Sequence, residues 1–342
     1  GVAARDACIV AAVIHPAIGI ARVGNSPDAW FLGPEVPDPA PPAPGSRRDA
    51  SGRLARQAAR FRVYGVDATG HIVRELTAAD AHVEWQVHIA NKKAAWYQFQ
   101  LALDIPEAAS APPTLLRNAG VADRSRLVID PGPRSISGVN RAPVPFDDGE
   151  FMGKRVYLGE LRTDDHGRLL VLGGHGHADS HDGSRAVTFA NNEGWHDDVA
   201  DGPVTAEVRV GGRKLAVKPA WVVVAPPDYA PARKGVRTMW DLMRDVAITA
   251  GLLPRPARPS FNADIRPIFE RLAGLQWVNA GFAAGFGWRG PFDLSAPATL
   301  QSLGAADPSQ RERRRVIANQ FRDLGRDGPA AQQWPWLYGD AM

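Results

Sequence analysis

The sequence predicts a mainly β, antiparallel body followed by an α-helical C-terminal segment, a β-rich α+β fold, and three observations carry that reading. From Ile9 to about Val224 the apolar residues come in short alternating or β-branched runs, broken by Gly, Pro, Asn and Asp as strands joined by turns require. After Pro226 and Pro227 the apolar spacing lengthens to the three-and-four rhythm of helices. A chain of 342 residues, 44% hydrophobic, is also long enough to bury a large core in more than one layer. The body is therefore placed at 1–225 and the helical segment at 226–342.

In chain order, HPAIGIARVGNS reads as a buried strand and turn in which Gly19 and Gly24 permit close backbone approach, with His15, Arg22 and Asn25 in structural roles. PPAPG, from Pro41 to Gly45, is a stiff surface connection. Strands are expected at Ala59–Val66, His82–Ile89, Trp96–Leu103, Arg155–Leu161, Arg168–Leu172 and Val204–Val210. Gly211-Gly212 between two alternating runs predicts a hairpin with a primed turn over Val208–Val217. Thr238–Thr249 carries Trp240, Leu242, Met243, Val246 and Ala247 near helical spacing, with Gly251 as a stop. A second helix is expected over Asn262–Leu272, capped by Asn262, and a third from Asp307-Pro308 to about Leu324. The stretch GFAAGFGWRGPFDLSAP between them is too irregular for either period.

Composition narrows the function. The 40 basic and 37 acidic residues nearly cancel, and the one basic cluster, Arg311, Arg313, Arg314 and Arg315, fits a solvated helix face, so no nucleic-acid partner is expected. The longest uninterrupted apolar run, Ala7 to Ile14, falls far short of the ~20 residues that cross a bilayer, so no membrane partner is expected. A single cysteine, Cys8, rules out an internal disulfide and any multi-cysteine metal site. A first residue Gly1 in place of Met is expected where a leader or tag has been removed.

Two stretches carry candidate chemistry. GGHGHADSHDG, Gly173–Gly183, gathers His175, His177 and His181 with Asp179 and Asp182 in a glycine-rich turn after a strand. A metal site wants imidazoles on rigid elements, so His175 and His177 are read as a possible pocket loop and no metal is expected. NNEGWHDDVADGPV supplies Trp195, His196 and Asp197 as the candidate substrate pocket, because an imidazole beside carboxylates can bind or move a proton near neutral pH. The cluster Asp197, Asp198 and Asp201 also suits caps on loop amides, and it lacks the spacing of a calcium loop. Lys92 and Lys93 are placed to pair with acids or steer an anion.

Four segments, Ile14–Glu35, Val83–Phe99, Phe189–Val208, and Pro256–Phe282 with Trp334–Asp340, together resemble the N-terminal portion of the cysteine tryptophylquinone amino-acid oxidases, the LodA-like family. The resemblance implies oxidative deamination of a primary amine of an amino acid to an aldehyde or oxo acid, ammonia and hydrogen peroxide. It also implies that the cysteine and tryptophan of the quinone lie in a C-terminal half outside this sequence. On that reading no catalytic residue lies in this chain. The cysteine tryptophylquinone belongs to a second polypeptide, against which the helical segment packs through Phe282–Phe292 and Trp334–Tyr338. A flavoprotein maturation enzyme, an oligomeric assembly and a cytoplasmic origin, with later export left open, follow from the same resemblance. His196 stands where the family commonly has an aromatic residue of the substrate pocket. Two rivals remain: a non-catalytic scaffold or binding protein that retains the N-terminal half of the fold, and a metal enzyme built on His175, His177 and His181.

Overall fold

In the computed structural model of the chain, residues 8–36, 39–98, 115–188, 191–321 and 334 are described, and the chain divides into two compact units, Gly1–Tyr229 and Ala230–Met342. The first unit runs through β1 (Ala11–His15), β2 (Ile18–Arg22), β3 (Trp30–Leu32), β4 (Arg56–Val66), β5 (Ile72–Leu76), β6 (His82–Val87), β7 (Arg134–Ser137) and β8 (Val144–Phe146). It continues with β9 (Gly149–Phe151), β10 (Lys154–Val156), β11 (Gly159–Thr163), β12 (Leu169–Gly173), β13 (Ala178–Ser180), β14 (Trp195–Asp197), β15 (Ala200–Val210), β16 (Arg213–Lys218) and β17 (Ala220–Ala225).

Six of these strands close a ring. β1 pairs β16, β16 pairs β15, β15 pairs β17, β17 pairs β2, β2 pairs β4, and β4 returns to β1. The 11-residue strands β4 and β15 make this possible, each being long enough to serve different partners along its two halves. Alternation then sends Ile14, Ala21, Phe61, Val63, Val204, Val208, Val222 and Val224 into one core. Gly19 lets Phe61 enter that core, since a Cβ there would lie 2.3 Å from the ring. Trp85 is buried with its indole N–H donating to the Gly167 carbonyl (2.9 Å).

Most pairings are antiparallel, but β1–β16, β2–β17 and β3–β4 are parallel, so the sheet is mixed where the sequence predicts antiparallel strands. Alternation in sequence reports which residues are buried and carries no information on the direction of a distant partner. The strand expected over Arg155–Leu161 is two strands, β10 and β11. Gly159, at φ 140°, starts the second, and a Cβ there would meet the Leu172 carbonyl oxygen at 2.1 Å. At Trp96–Leu103, Lys93–Ala95 forms a 3-10 turn and Tyr97 makes an isolated bridge to Leu116, while 99–103 lie outside the described residues. The β15–β16 hairpin turns at Gly211 (φ 55°) and Gly212 (φ 81°), the two positive angles that a type I′ turn demands.

Glu35 is clamped by two guanidinium groups, Arg60 donating to it through Nε (2.9 Å) and Arg62 through Nη1 (2.6 Å). The Arg60 hydrogen bond leads in holding its pKa down to about 2 against an ordinary value of 4.5. Because the folded value is the lower one, the contribution is complete above the unfolded pKa and is lost as pH falls through the folded one. Glu35→Gln is expected to cost about 1–2 kcal/mol at neutral pH, after discounting for partial exposure. Urea unfolding of both proteins should show the gap narrowing toward about pH 3.

The second unit contains α1 (Met239–Thr249), α2 (Arg266–Gly274) entered through a π turn over Phe261–Ile265, α3 (Ala280–Phe286), α4 (Pro297–Gly304) and α5 (Arg311–Ala318). Thr238 caps α1 in a reciprocal box with Asp241. The cap before α2 is Ser260, accepting from the Ala263 amide, and not Asn262, because the wide π turn begins two residues earlier than the apolar spacing suggests. The glycine-rich stretch read as irregular forms α3 and leads into α4. Phe282 and Phe286, one turn apart, are buried with Leu272, Leu294, Leu303 and Ile317, and this burial overrides the poor helix propensity of the glycines. On α5, Arg315 pairs with Glu312 and Arg314 donates to the Ala305 carbonyl (2.8 Å) at the exposed surface. This helix ends at Ala318, short of the end near Leu324 that the sequence predicts, because the chain turns at Asn319 and Gln320 and Phe321 bridges to Trp334. Among the described residues no helix is long and apolar enough to cross a membrane.

Candidate functional site

The two stretches singled out in the sequence, close together along the chain, pair with each other. β13 and β14 form an antiparallel ribbon in which Ala178 faces Asp197, Asp179 faces His196 and Ser180 faces Trp195. Asp198, 2% exposed, fastens the ribbon to the glycine loop: its Oδ2 accepts the amides of Gly176 (2.8 Å) and His177 (3.1 Å). Burial pushes the Asp198 carboxyl above its ordinary pKa, opposed by those two amides.

Asp197 points to different partners. Asn91 Nδ2 donates to its Oδ1 and to its backbone carbonyl, both at 3.0 Å, and Lys93 Nζ reaches its Oδ2 at 2.5 Å. Asp201 is separate again, accepting the Trp221 indole N–H (2.8 Å). The acidic cluster is thus three carboxylates with three tasks. A second brace comes from buried Asn118, in the left-handed region at φ 53°. Its amide donates to Glu193 (2.8 Å), its side chain donates to the Ala94 carbonyl (2.8 Å), and its Oδ1 accepts from Gly194 (2.6 Å). The neighbouring Arg117 is half-buried with its Nε lacking a hydrogen-bond partner among the described residues, and burial lowers its pKa against the pull of Asp197 and Glu193.

Around Asp197 and Asp198 lies a cavity of about 280 Å³, lined also by Gly24, Asn25, His177, Val199 and Tyr229. Asn25 is held by accepting the Leu54 amide (2.7 Å). Of the residues predicted for the pocket, Asp197 and His177 line this cavity and Trp195, His196 and His175 do not. Alternation along β14 explains His196, which faces away from Asp197 and packs on Phe151 (ring centroids 5.0 Å apart); Trp195 shares the Asp197 face but lies two residues further along the strand, outside the cavity. Burial lowers the His196 pKa, so the ring is neutral at neutral pH, and its Nδ1, like Trp195 Nε1, is buried without a partner among the described residues.

His175 stacks on Tyr157 (5.2 Å, 17°), and burial, aided by the charge of Arg56, lowers its pKa. Tyr157 in turn donates to Glu160 (2.6 Å), which also accepts from Arg162 Nε (2.7 Å) and lies 3.5 Å from the buried Arg56 guanidinium. The three loop histidines do not converge: the His175 and His177 rings are 6.5 Å apart, and His181 Nδ1 faces the Gly194 carbonyl (3.4 Å). Among the described residues, the one His and acid group with ligand atoms close enough to share an ion is Asp164, Asp165 and His166. There Asp164 Oδ1 is already accepting the amides of His166 and Arg168 as a turn cap.

The sequence reading missed Asn91, Asn118, Glu193, Arg117 and Tyr229. None sits in a recognisable catalytic pattern; Glu193 directly precedes β14 in the chain, and only the fold brings Asn91, Arg117, Asn118 and Tyr229 to this region. Three of the four segments that carried the family resemblance do meet here: Gly24 and Asn25 from the first, Asn91 and Lys93 from the second, Asp197 and Asp198 from the third.

The fold, a strand ring followed in the chain by a separate helical unit, is one that this chain shares with solved lysine oxidases. It superposes on the crystal structure of the Schiff base intermediate of L-Lys epsilon-oxidase from Marinomonas mediterranea with L-Lys at a TM-score of 0.65, with 30% identity over 92% of this chain and 51% of that one. A further structure of the epsilon-lysine oxidase from the same organism gives a TM-score of 0.65 at 29% identity, with the same coverage. L-lysine 6-oxidase of Marinomonas mediterranea is 33% identical over 316 residues, 78% of this chain and 43% of that protein. Residues 15–224 match the family described as L-Lysine epsilon oxidase N-terminal, and the chain belongs to that family. It spans about half the length of the relatives it matches.

A tryptophylquinone is built from a cysteine beside a tryptophan, and the residues of this chain do not fit that requirement. The single cysteine, Cys8, is exposed and precedes β1, and among the described residues neither it nor a tryptophan lines the cavity.

Proposed function

We propose that this chain is the N-terminal chain of a quinone-dependent amino-acid oxidase, with the cysteine tryptophylquinone carried by a second polypeptide. The overall reaction takes a primary amine of an amino acid, dioxygen and water to an aldehyde or oxo acid, ammonia and hydrogen peroxide. The observation that carries the reading is the convergence of three family segments and the histidine loop on Asp197 and Asp198 around one cavity.

In this reading the chain supplies a wall of the substrate pocket. Asp197 and His177 offer acceptor and donor groups to the amino acid, and the clamps from Lys93, Asn91 and Asp198 keep them in place, so that little ordering remains to be done on binding. Arg117, with an unmet donor, suits a carboxylate on the substrate or on the partner chain. His196 acts from behind β14, through the position of Asp197. A flavoprotein maturation enzyme and an oligomeric assembly complete the proposal.

The test is a visible spectrum of the native preparation together with denaturing separation and intact mass of every band. The expected result is a coloured assembly containing a second chain whose mass shows a Trp–Cys cross-link and two added oxygens, with amine-dependent peroxide release. A colourless preparation holding this chain alone overturns the oxidase reading in favour of a scaffold.

A further inference from the structure

Helix α1 buries none of its residues. Met239, Leu242, Met243 and Val246 recur at i, i+3, i+4 and i+7 and make a stripe about 100° wide along one side, and all four are exposed, by 41% to 70%. The opposite side carries Asp241 and Arg244. These pair with Arg271 of α2 (3.0 Å) and with Asp264 of the π turn before it (3.7 Å). The helix therefore turns its charged side toward its neighbour and its apolar side outward, the reverse of a helix whose final environment on that side is water. Trp240, beside the stripe, and Leu252 and Leu253, just beyond the helix, extend the exposed apolar surface.

We infer that this stripe is the docking surface for the polypeptide that corresponds to the remainder of the relatives. This rests on the oxidase reading in taking that polypeptide to be the partner. The matched region accounts for 43% of L-lysine 6-oxidase and 51% of the superposed oxidase chain, and the other half of such a relative is an occupant of comparable size to this chain. A second copy of this chain is the weaker occupant. Four such side chains offer roughly 400 Å² per copy, so two stripes face to face bury about 800 Å², the size of nonspecific contacts and below the ~1,200 Å² at which specific interfaces begin. A larger partner with an apolar groove covers the stripe and its flanks together, and the two methionines adapt to such a groove.

The test places the photoreactive residue p-benzoylphenylalanine at Met243 in the full chain, expressed in its source cells, and identifies the adduct by mass spectrometry. The expected adduct is with the polypeptide homologous to the second half of the relatives. An adduct with a second copy, with an unrelated protein, or none at all overturns the inference. The double variant Met243→Asp with Val246→Asp should lower recovery of that polypeptide at least tenfold, an effect on the order of two interface anchors. Circular dichroism and melting should be unchanged, because α1 buries none of its residues. A quinone-bearing chain that co-purifies but cross-links elsewhere overturns the docking surface and leaves the oxidase reading standing. Cross-linking at 243 to a homologous half that carries no quinone does the opposite.

Discussion

Asp198→Ala is expected to lower stability by about 2–4 kcal/mol and to release the loop at Gly176 and His177. The estimate follows from two amides that would lose one shared, buried carboxylate acceptor, a hydrogen bond to a charged group being worth about 1.5–3 kcal/mol, with part of the loss recovered because water reaches the exposed Gly176 and His177. Both amides are fixed at 2.8 Å and 3.1 Å from a single carboxylate oxygen in the native fold. Hydrogen exchange at these two amides is the measurement. In the wild type they should be protected, and in the Ala variant they should exchange at rates close to those of an open loop. Protection unchanged in the variant would mean that the ribbon holds the loop without Asp198.

Asp198→Asn separates geometry from charge. An amide oxygen still accepts, so the loop should stay closed and the loss should be about half that of the Ala change. The sign of the pH effect also distinguishes the two side chains. Burial raises the folded pKa of Asp198, so its ionisation costs stability: the cost is absent below the unfolded pKa and grows as pH rises through the folded one. The Asn variant lacks this slope. Stability measured across the weakly acid range should therefore fall with rising pH more steeply in the wild type at this site, opposite in direction to the contribution of Glu35.

Arg56→Met carries the second large effect, a loss of about 3–5 kcal/mol. The guanidinium is 2% exposed, donates to the Gly173 carbonyl (3.2 Å) and lies against Glu160. Its removal leaves Glu160, 7% exposed, dependent on Tyr157 and Arg162. The surviving Arg162 pair places the expected loss toward the lower end of that range. Adding Glu160→Leu to Arg56→Met should restore part of it, since two desolvated charges then disappear together. Additive losses in the double variant would show that the pair is not coupled. The network also supports Tyr157, on which His175 stacks, so fluorescence or exchange at the histidine loop should report the same change.

Local pattern was enough for much of the body. The alternation of β4, β6 and β15, the continuous apolar run of β12, the Gly211-Gly212 turn and the Thr238 boundary of α1 are all legible, because each is decided by a few consecutive residues and their own conformational preferences. The resemblance in four segments likewise reached the family. The break at Gly159 was harder, since its positive φ serves a close approach to Leu172 that no local pattern announces. The glycines of α3 hid a helix whose stability comes from burying Phe282 and Phe286.

The site divides in the same way. That His175, His177, Trp195, His196 and Asp197 were worth attention follows from residue type and spacing alone. Which of them share a cavity was settled by the pairing of β13 with β14, which turns Asp197 toward Asn25 and His177 and turns His196 toward Phe151. Asn91, Arg117 and Asn118 enter only because strands and loops distant in sequence close on β14. The sequence by itself determined the long strands, the Gly211-Gly212 turn, the start of α1 and the family, through short-range preferences that each segment carries with it. The direction of the β2–β17 and β1–β16 pairs, the separate tasks of Asp197, Asp198 and Asp201, and the outward stripe of α1 were decided by the tertiary structure. The reason is physical: partners and solvent exposure are properties of packing between distant segments, and periodicity records only that a face is apolar.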